Sequence, residues 1–296
     1  MNFIFLLIFL NIILCNEKNI IDIDKFKKNI IVSLTSFPKR MKTLHLSLKS
    51  IIEQSLKPNK IILWLYEKEF PQKEKDIPKK VLEFKSQGLI IEYYPINLKS
   101  HLKLIPSLKK YPNSIIITID DDINYEKDMI KKLYKSYLDN PNDINAHRIT
   151  KMKLNKKKKK FDTIKGGLDY YHNATYLNIL NGVGGVIYPP NCFNNDIFNE
   201  TLMFKLAKTN DDLWFWTQAV LKGIKIKVVE KGYPTPKIIV DSQKIALWKI
   251  NNIGPKLFWK DLNKILNYYK NLKNILINEA LSLNNNKYIK KENEDL

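Results

Sequence analysis

Between residues 29 and 120, short runs of β-branched and apolar residues alternate with segments whose apolar residues recur every three or four positions. The first pattern is typical of buried strands and the second of amphipathic helices. Strand-like runs cover 29–37, 60–66, 89–95 and 114–120, and helical periodicity covers 41–56, 78–88 and 101–111. Apolar strands connected by helices indicate βαβ units, in which helices cover both faces of a mostly parallel sheet. The sequence therefore predicts an α/β fold.

The regular alternation weakens beyond residue 150. A polar stretch over 155–176, with five consecutive lysines, is expected to be a solvated loop, and the chain then becomes glycine-rich over 177–190. From Phe258 onward the apolar spacing indicates one or two helices before a polar end. We predict one α/β domain over 27–255 and a helical C-terminal extension with a frayed tail over 256–296. No internal repeat or linker divides the chain.

The first fifteen residues, MNFIFLLIFLNIILC, form an apolar run that is short for a membrane span. The run resembles the core of a secretory signal peptide, although it lacks a basic start and a small-residue cleavage site. Residues 1–16 are therefore predicted to be a signal peptide or short membrane anchor, with a secretory or membrane-associated location. The alternative is a buried N-terminal element in a cytoplasmic protein. Two cysteines, Cys15 and Cys192, provide no disulfide framework.

The net charge of +20 comes almost entirely from lysine, since only two of the 50 basic residues are arginine. A positive field favours anionic partners such as phosphates, nucleotides or an acidic membrane surface. The lysines are scattered and form no stripe interleaved with aromatic residues, so no nucleic-acid partner is predicted.

Three consecutive aspartates follow the apolar run IIITI: Asp120, Asp121 and Asp122. Crowded carboxylates repel one another unless a cation compensates. One of them could cap the helix that follows, but a cap needs only one carboxylate. If the strand continues, Asp120 and Asp122 share a face, where two hard oxygen ligands suit Mg²⁺ or Mn²⁺ completed by the oxygens of a diphosphate. The carboxyl ends of strands in open α/β sheets are also where ligands bind.

A second acidic pair, Asp211 and Asp212, begins the helical segment TNDDLWFW. The pair could simply stabilise the helix N-terminus. Alternatively, a carboxylate beside this apolar wall could have a raised pKa and act as a general base.

Three further features lie where the predicted topology would bring them to a ligand. NGVGGVIYPP contains Gly184 and Gly185 and allows close backbone approach, although it could also be an ordinary tight turn. Arg40 follows the first strand in LTSFPKR, and Lys103 follows the third. Both cations are expected at the carboxyl edge of the sheet.

The order of these motifs, IVSLTSFPKR, HLKLIPSLKKYP, IITIDDDINY, GVGGVIYPP and TNDDLWFW, resembles the glycosyltransferase family 2-like proteins of the GT-A fold. The resemblance covers roughly residues 29–250. It implies a Rossmann-like, mostly parallel sheet and transfer of a sugar from a nucleotide-diphosphate donor to a hydroxyl of a glycan, lipid or protein, with inversion.

The same resemblance assigns roles to individual residues. Asp120 and Asp122 would be the DxD-type ligands of Mn²⁺ or Mg²⁺. Asp212, or as second choice Asp211, would be the catalytic base. The residues expected near the nucleotide or its sugar are Thr35, Ser36, Arg40, Lys103, Asp120, Asp121, Gly184 and Gly185.

Two other functions are compatible with parts of the sequence. A sugar-phosphate nucleotidyltransferase has a similar sheet and acidic residues, but it normally has a glycine-rich loop after the first strand, and SLTSFPKR contains no glycine. A non-enzymatic, basic, secreted glycan-binding protein would use the lysines alone.

Overall fold

The protein is described here from a computed structural model, which covers residues 29–155, 160–164, 173–230, 232, 237–240, 242 and 257–294. In chain order the strands are β1 (Ile30–Thr35), β2 (Lys60–Tyr66), β3 (Leu89–Tyr94), β4 (Ile115–Thr118), β5 (Ile123–Asn124), β6 (Ile144–Ala146), β7 (Ile149–Asn155), β8 (Lys160–Ile164), β9 (Asn178–Leu180), β10 (Val186–Tyr188), β11 (Ile226–Val228) and β12 (Lys237–Ile238). The helices are α1 (Met41–Ile52), α2 (Lys79–Leu82), α3 (Ile105–Lys110), α4 (Met129–Asp139), α5 (Glu200–Ala207), α6 (Asp211–Leu221), α7 (Leu257–Tyr268) and α8 (Lys270–Glu294).

Seven strands form the central sheet in the order β11-β6-β10-β4-β1-β2-β3. All neighbouring pairs are parallel except those of β10, which runs antiparallel to both β4 and β6. The predicted α/β class and mostly parallel sheet are confirmed.

Strand β1 shows why helices cover both faces of the sheet. All its residues except Thr35 are buried, and alternate side chains enter different apolar clusters: Ile30 and Val32 enter one, and Ile31 enters the other. Helices α1, α2 and α4 pack in the first cluster, and α3, α5, α6, α7 and α8 contribute to the second. A strand buried on both faces has no solvent-facing side, which explains why apolar residues dominate its sequence on both faces.

The reversal of β10 determines what lies at the carboxyl edge of the sheet. In β10, Val186 pairs with Thr118 at the last residue of β4. Because the two strands are antiparallel, the chain that enters β10 arrives beside the end of β4. The glycine-rich segment thus reaches the edge where the three aspartates begin.

The expectation of a loop over 155–176 is wrong in part. Lys160–Ile164 form β8, which pairs antiparallel with β7, and β9 completes this three-stranded sheet. Phe161 is buried while Lys160 and Asp162 are exposed, so β8 has the alternation of a half-buried strand. Residues 156–159 and 165–172 lie outside the described residues.

Helices α7 and α8 form the predicted helical C-terminal part of the chain. Leu262, Ile265, Leu272 and Leu276 are buried in the same apolar cluster as β1 residue Ile31. These two helices are therefore part of the main core. The domain limits at 255 and 256, and the frayed tail, stay predictions.

The predicted secretory or membrane-associated location, and membrane association through the N-terminus, are corrected by the structure. Among the residues it describes, no helix combines the length and apolar character needed to cross a bilayer. The predicted signal peptide or anchor, residues 1–16, lies outside the described residues.

Candidate active site

The predicted site residues converge at the carboxyl edge of the central sheet. Arg40 lies after β1, Lys103 after β3 and the three aspartates after β4, while Asp211 and Asp212 begin α6. The sequence separates these segments by up to 172 positions, and the parallel strand order brings them together.

Arg40 connects the end of β1 to two of the three aspartates. Its guanidinium is buried, with Nη1 2.7 Å from Asp121 Oδ1 and 2.8 Å from Asp122 Oδ2. The Ser36 hydroxyl donates to the other Asp121 oxygen at 2.6 Å. Burial raises the pKa of Asp121 to about 6, although Arg40 opposes the shift. Asp121 is thus held by two neighbours inside the protein, as expected of a side chain that orders the loop.

Lys103 connects the end of β4 to the start of α6. Its Nζ lies 2.7 Å from Asp120 Oδ1 and 2.8 Å from Asp211 Oδ2. Burial of the ammonium group opposes its charge, but Asp120, Asp211 and Asp212 outweigh that effect and raise the pKa of Lys103. Lys103 therefore stays protonated and links the two acidic motifs.

Asp212 is held by a backbone amide. The Gly182 N–H donates to both carboxylate oxygens, each 3.0 Å from the nitrogen. Burial, together with the charge of Asp211, raises the pKa of Asp212 to about 7. For Asp211 burial acts in the same direction, but Lys103 outweighs it and the pKa is lowered. One carboxylate of the pair is thus suited to exchange a proton near neutral pH, and its neighbour is suited to remain charged.

Neither acidic motif serves as a helix cap. Helix α6 has Asn210 at its N-cap position, and α4, the helix after the three aspartates, has Asp128 there. The capping alternative for the three aspartates is therefore wrong, whereas Asp211 and Asp212 lie in the first turn of α6, where their charge also favours the helix N-terminus.

Asp120 is the most solvent-accessible carboxylate among the four that form these ion pairs. Its side chain is 27% exposed, compared with 11–13% for Asp121, Asp122 and Asp211. Its backbone is fixed on both sides, because its N–H donates to the Tyr125 hydroxyl and its carbonyl accepts from the Ser47 hydroxyl. A rigid backbone with an accessible carboxylate suits ligand binding.

The extended geometry expected for residues 120–122 is wrong. Strand β4 ends at Thr118, and a turn follows, so Asp121 and Asp122 both reach Arg40. Burial, together with the charge of Asp120, raises the pKa of Asp122, and Arg40 opposes the shift.

The donor set can be tested for its fit to a divalent cation. Among the described residues, no three His, Cys, Asp or Glu side chains are arranged to hold a metal ion. Asp120 and Asp122 fit the weaker arrangement predicted from the sequence, in which two hard oxygen ligands need substrate oxygens to complete the shell. Each of the two already has a protein cation beside it, Lys103 for Asp120 and Arg40 for Asp122, and a metal would join these cations in offsetting the carboxylate charge. The assignment of the metal to Asp120 and Asp122 stays a prediction.

The glycine motif contacts the acidic cluster through a different glycine from those predicted. A Cβ on Gly182 would lie 2.8 Å from Lys103 Nζ and 2.9 Å from Asp212 Oδ1. A Cβ on Gly184 would instead meet Arg148, and one on Gly185, whose φ is +89°, would meet Met129. The spacing of the motif indicates a close approach but cannot tell which glycine makes it.

The remaining predicted nucleotide contact, Thr35, uses its hydroxyl within the sheet, where it donates to the Trp64 carbonyl at 2.8 Å. Sequence reasoning missed Gly182, Ser47 and Tyr125. Gly182 had a signal, as the first glycine of its motif. Tyr125 is only five residues from Asp120, but its hydroxyl reaches back to the Asp120 N–H through a turn that the strand interpretation did not predict, and Ser47 makes a long-range contact that leaves no local pattern.

The fold is similar to those of several solved structures. PcManGT, a mannosyltransferase from Pyrobaculum calidifontis solved in complex with GDP-Man and Mn²⁺, is 14% identical, with a TM-score of 0.54 over 86% of this chain and 69% of that chain. TarS from S. aureus is 16% identical, with a TM-score of 0.47 over 69% of this chain and 58% of that chain. The 4-diphosphocytidyl-2C-methyl-D-erythritol synthase from Anaerococcus prevotii DSM 20548 is 17% identical, with a TM-score of 0.45 over 70% of this chain and 92% of that chain.

This chain thus spans less than two thirds of the TarS chain. No protein-family model matches the sequence, and no curated protein is significantly similar to it. The structural likeness to PcManGT shows the fold alone: the chain has a GT-A fold, as the sequence predicted.

Proposed function

We propose that this protein is a metal-dependent glycosyltransferase that moves a sugar from a nucleotide-diphosphate donor to a hydroxyl acceptor with inversion. The observation that carries the proposal is the Asp212 carboxylate, whose pKa is raised to about 7 by burial and which lies at the carboxyl edge of a GT-A sheet beside the Lys103 ammonium group. The PcManGT complex with GDP-Man and Mn²⁺ supports a nucleotide-sugar donor and a divalent metal.

In this proposal Asp212 is the general base. Its carboxylate accepts the proton of the acceptor hydroxyl as the oxygen forms a bond to the anomeric carbon. The bond from that carbon to the diphosphate breaks at the same time, and its electron pair leaves with the nucleoside diphosphate. A single displacement of this kind inverts the anomeric configuration. Asp211 cannot take this role equally well, because its pKa is lowered by the ion pair with Lys103.

Arg40 and Lys103 provide the fixed positive charge of the site. Both are buried and protonated beside carboxylates, so no bulk water needs to reorganise around them when a diphosphate binds. Asp120 and Asp122 would hold Mn²⁺ or Mg²⁺. The metal would supply Lewis-acid neutralisation of the charge that develops on the leaving diphosphate.

The test is a panel of UDP- and GDP-sugars with hydroxyl acceptors, in which release of the nucleoside diphosphate is measured with Mn²⁺ and with EDTA. We expect metal-dependent release with one donor and an inverted anomeric configuration in the product by proton NMR. Asp122→Ala should abolish Mn²⁺-dependent donor affinity in calorimetry, whereas Asp139→Asn, at an exposed position on α4, should leave it unchanged. Formation of a nucleotide sugar from a sugar phosphate would instead identify a nucleotidyltransferase.

A further inference from the structure

The Gly182 backbone sits between the two charged groups that the proposed reaction depends on. Its N–H binds both oxygens of Asp212. The space where a side chain would begin is filled by Lys103 Nζ at 2.8 Å and Asp212 Oδ1 at 2.9 Å. Real Cβ atoms essentially never approach other atoms within 3.0 Å, so any other residue at 182 would displace at least one of these groups.

The requirement for glycine at this position does not come from backbone conformation. Gly182 is not among the glycines with positive φ, which are Gly88, Gly185 and Gly223. The atoms nearest to a Cβ at this position belong to the side chains of Lys103 and Asp212, and none of them is a backbone atom. Substitution should therefore leave the main chain able to fold while moving those two ends.

We infer that Gly182 is a positioning residue, whose N–H fixes the Asp212 carboxylate and whose missing side chain leaves room for the Lys103 ammonium group beside it. The inference rests on the proposed function, because it assigns Asp212 the role of base. It also explains how the Asp212 carboxylate keeps one orientation where Lys103 joins the two acidic motifs. The carboxylate cannot rotate without losing the hydrogen bond that the Gly182 N–H donates to both of its oxygens.

The decisive experiment is a double-mutant cycle between Gly182→Ala and Asp212→Asn, with transfer measured at saturating donor and acceptor. A displaced catalytic group commonly costs on the order of 10²-fold in rate. We expect Gly182→Ala to lower kcat by about that factor in the wild-type background and by less than about threefold in the Asp212→Asn background. An equal loss in both backgrounds would mean that Gly182 does not act through the Asp212 carboxylate and would overturn the inference.

Gly223→Ala is the matched control. Gly223 has φ +83° at the end of α6, with open space around it. Alanine there costs stability through backbone strain without touching the site. We expect a lower Tm with an unchanged kcat at a temperature where the variant is folded. If Gly223→Ala lowered kcat as much as Gly182→Ala does, general destabilisation would explain both effects.

A second readout does not depend on catalysis. The groups acting on Asp212 are Asp211, Asp120, the Lys103 ammonium and the Gly182 N–H, and the last two stabilise its charged form. Gly182→Ala should therefore move the pKa of Asp212 upward from about 7 in a carboxylate-selective ¹³C NMR titration, with Asp212→Asn used to assign the signal. An unchanged titration would overturn the inference. If no donor supports transfer, the proposed function fails, and this titration still decides the role of Gly182.

A second variant covers the case in which Gly182→Ala is too unstable to study. Gly182→Ala combined with Lys103→Met removes Nζ, the nearest atom to the new Cβ, while Lys103 Cε lies at 3.7 Å. This double variant should fold if the new Cβ clashes only with the ends of the Lys103 and Asp212 side chains. Lys103→Met alone is the reference, because it removes the cation that pairs with Asp120 and Asp211. If Lys103→Met folds and the double variant does not, the backbone cannot accept a Cβ here and the inference is wrong.

Discussion

At the scale of single residues, Asp211 and Asp212 are chain neighbours whose pKa values move in opposite directions. Burial raises both, but Lys103 lies 2.8 Å from Asp211 Oδ2 and reverses the shift there. Side chains one residue apart on a helix point about 100° apart, so Asp211 and Asp212 cannot present their carboxylates to one partner in the same direction. The environment of each carboxylate therefore distinguishes the two.

Asp212→Asn tests which carboxylate is the base. Asparagine keeps the shape and can still accept the Gly182 N–H, so donor and metal affinity should be preserved. Turnover should fall by roughly 10²–10⁴, the usual contribution of a positioned base. The measurement is the transfer rate at saturating donor, with Asp211→Asn made in parallel. Normal transfer by Asp212→Asn together with an inactive Asp211→Asn would show that Asp211 is the base.

The same substitution should make the protein more stable at pH 8. The pKa of Asp212 is about 7 in the folded protein and about 3.9 in an unfolded chain. Between these values the unfolded chain releases the proton first, so the free energy of unfolding falls as the pH rises from about 4 to about 7. Asparagine removes this effect. Melting temperatures should be similar near pH 4 and higher for Asp212→Asn at pH 8; a variant less stable than wild type at pH 8 would contradict the assigned shift.

At the scale of secondary-structure elements, the start of α6 is held by another helix. The side chain of Asn210, the N-cap residue, makes no hydrogen bond to its own helix. Instead its amide donates to Asp261 of α7, which also pairs with Lys264 at 2.8 Å. Asn210 and Asp261 are both buried. The helix that carries Asp211 and Asp212 is therefore tied to the C-terminal part of the chain.

Asp261→Ala should lower stability more than its charge alone would explain. The substitution leaves the buried Asn210 amide without its acceptor, which costs about 1–3 kcal/mol. Lys264→Ala removes only the partly exposed partner of the same carboxylate and should cost about 0–1 kcal/mol. The free energy of unfolding from urea titrations gives both values. Equal losses for the two variants would mean that the Asn210 contact contributes nothing specific.

At the scale of the whole molecule, the C-terminal helices complete the core on one face of the sheet. Leu272, Leu276 and Ala280 of α8 are buried in the cluster that contains Ile31 and Trp214. Leu281, on the same helix, is 41% exposed. The helix thus has one face in the main core and another in solvent.

Leu276→Ala tests whether α8 is required for the stability of the domain. Truncating a fully buried leucine costs about 2–5 kcal/mol through lost apolar contact and the cavity left behind. Leu281→Ala is the matched control on the same helix and should change stability by less than about 0.5 kcal/mol. Denaturant unfolding followed by tryptophan fluorescence measures both, because Trp214 and Trp216 lie in the same cluster. A small loss for Leu276→Ala would indicate that α8 unfolds independently of the core.

The class of the fold and most of the charged residues at its edge follow from local patterning in the sequence. Apolar strands and amphipathic helices have distinct periods, so local patterning predicts a parallel sheet, and parallel strands bring the residues after them to one edge. Arg40, Lys103 and Asp120 could be selected on that basis alone, whereas the choice of Asp212 came from the resemblance to GT-A glycosyltransferases. Strand β8 was missed because a lysine-rich stretch reads as a loop, and only its pairing with β7 makes it a strand.

The pairing of side chains within the cluster depends on contacts that form only in the folded protein. The chain turns after Thr118, so Asp121 and Asp122 share Arg40, and this partnership depends on a residue about eighty positions away. Which glycine approaches Asp212 depends on the antiparallel entry into β10. The opposite pKa shifts of Asp211 and Asp212 arise from burial and from Lys103. Hydrogen bonds and charge pairs act over a few ångströms in space, and the distance along the chain carries no information about them until the fold is complete.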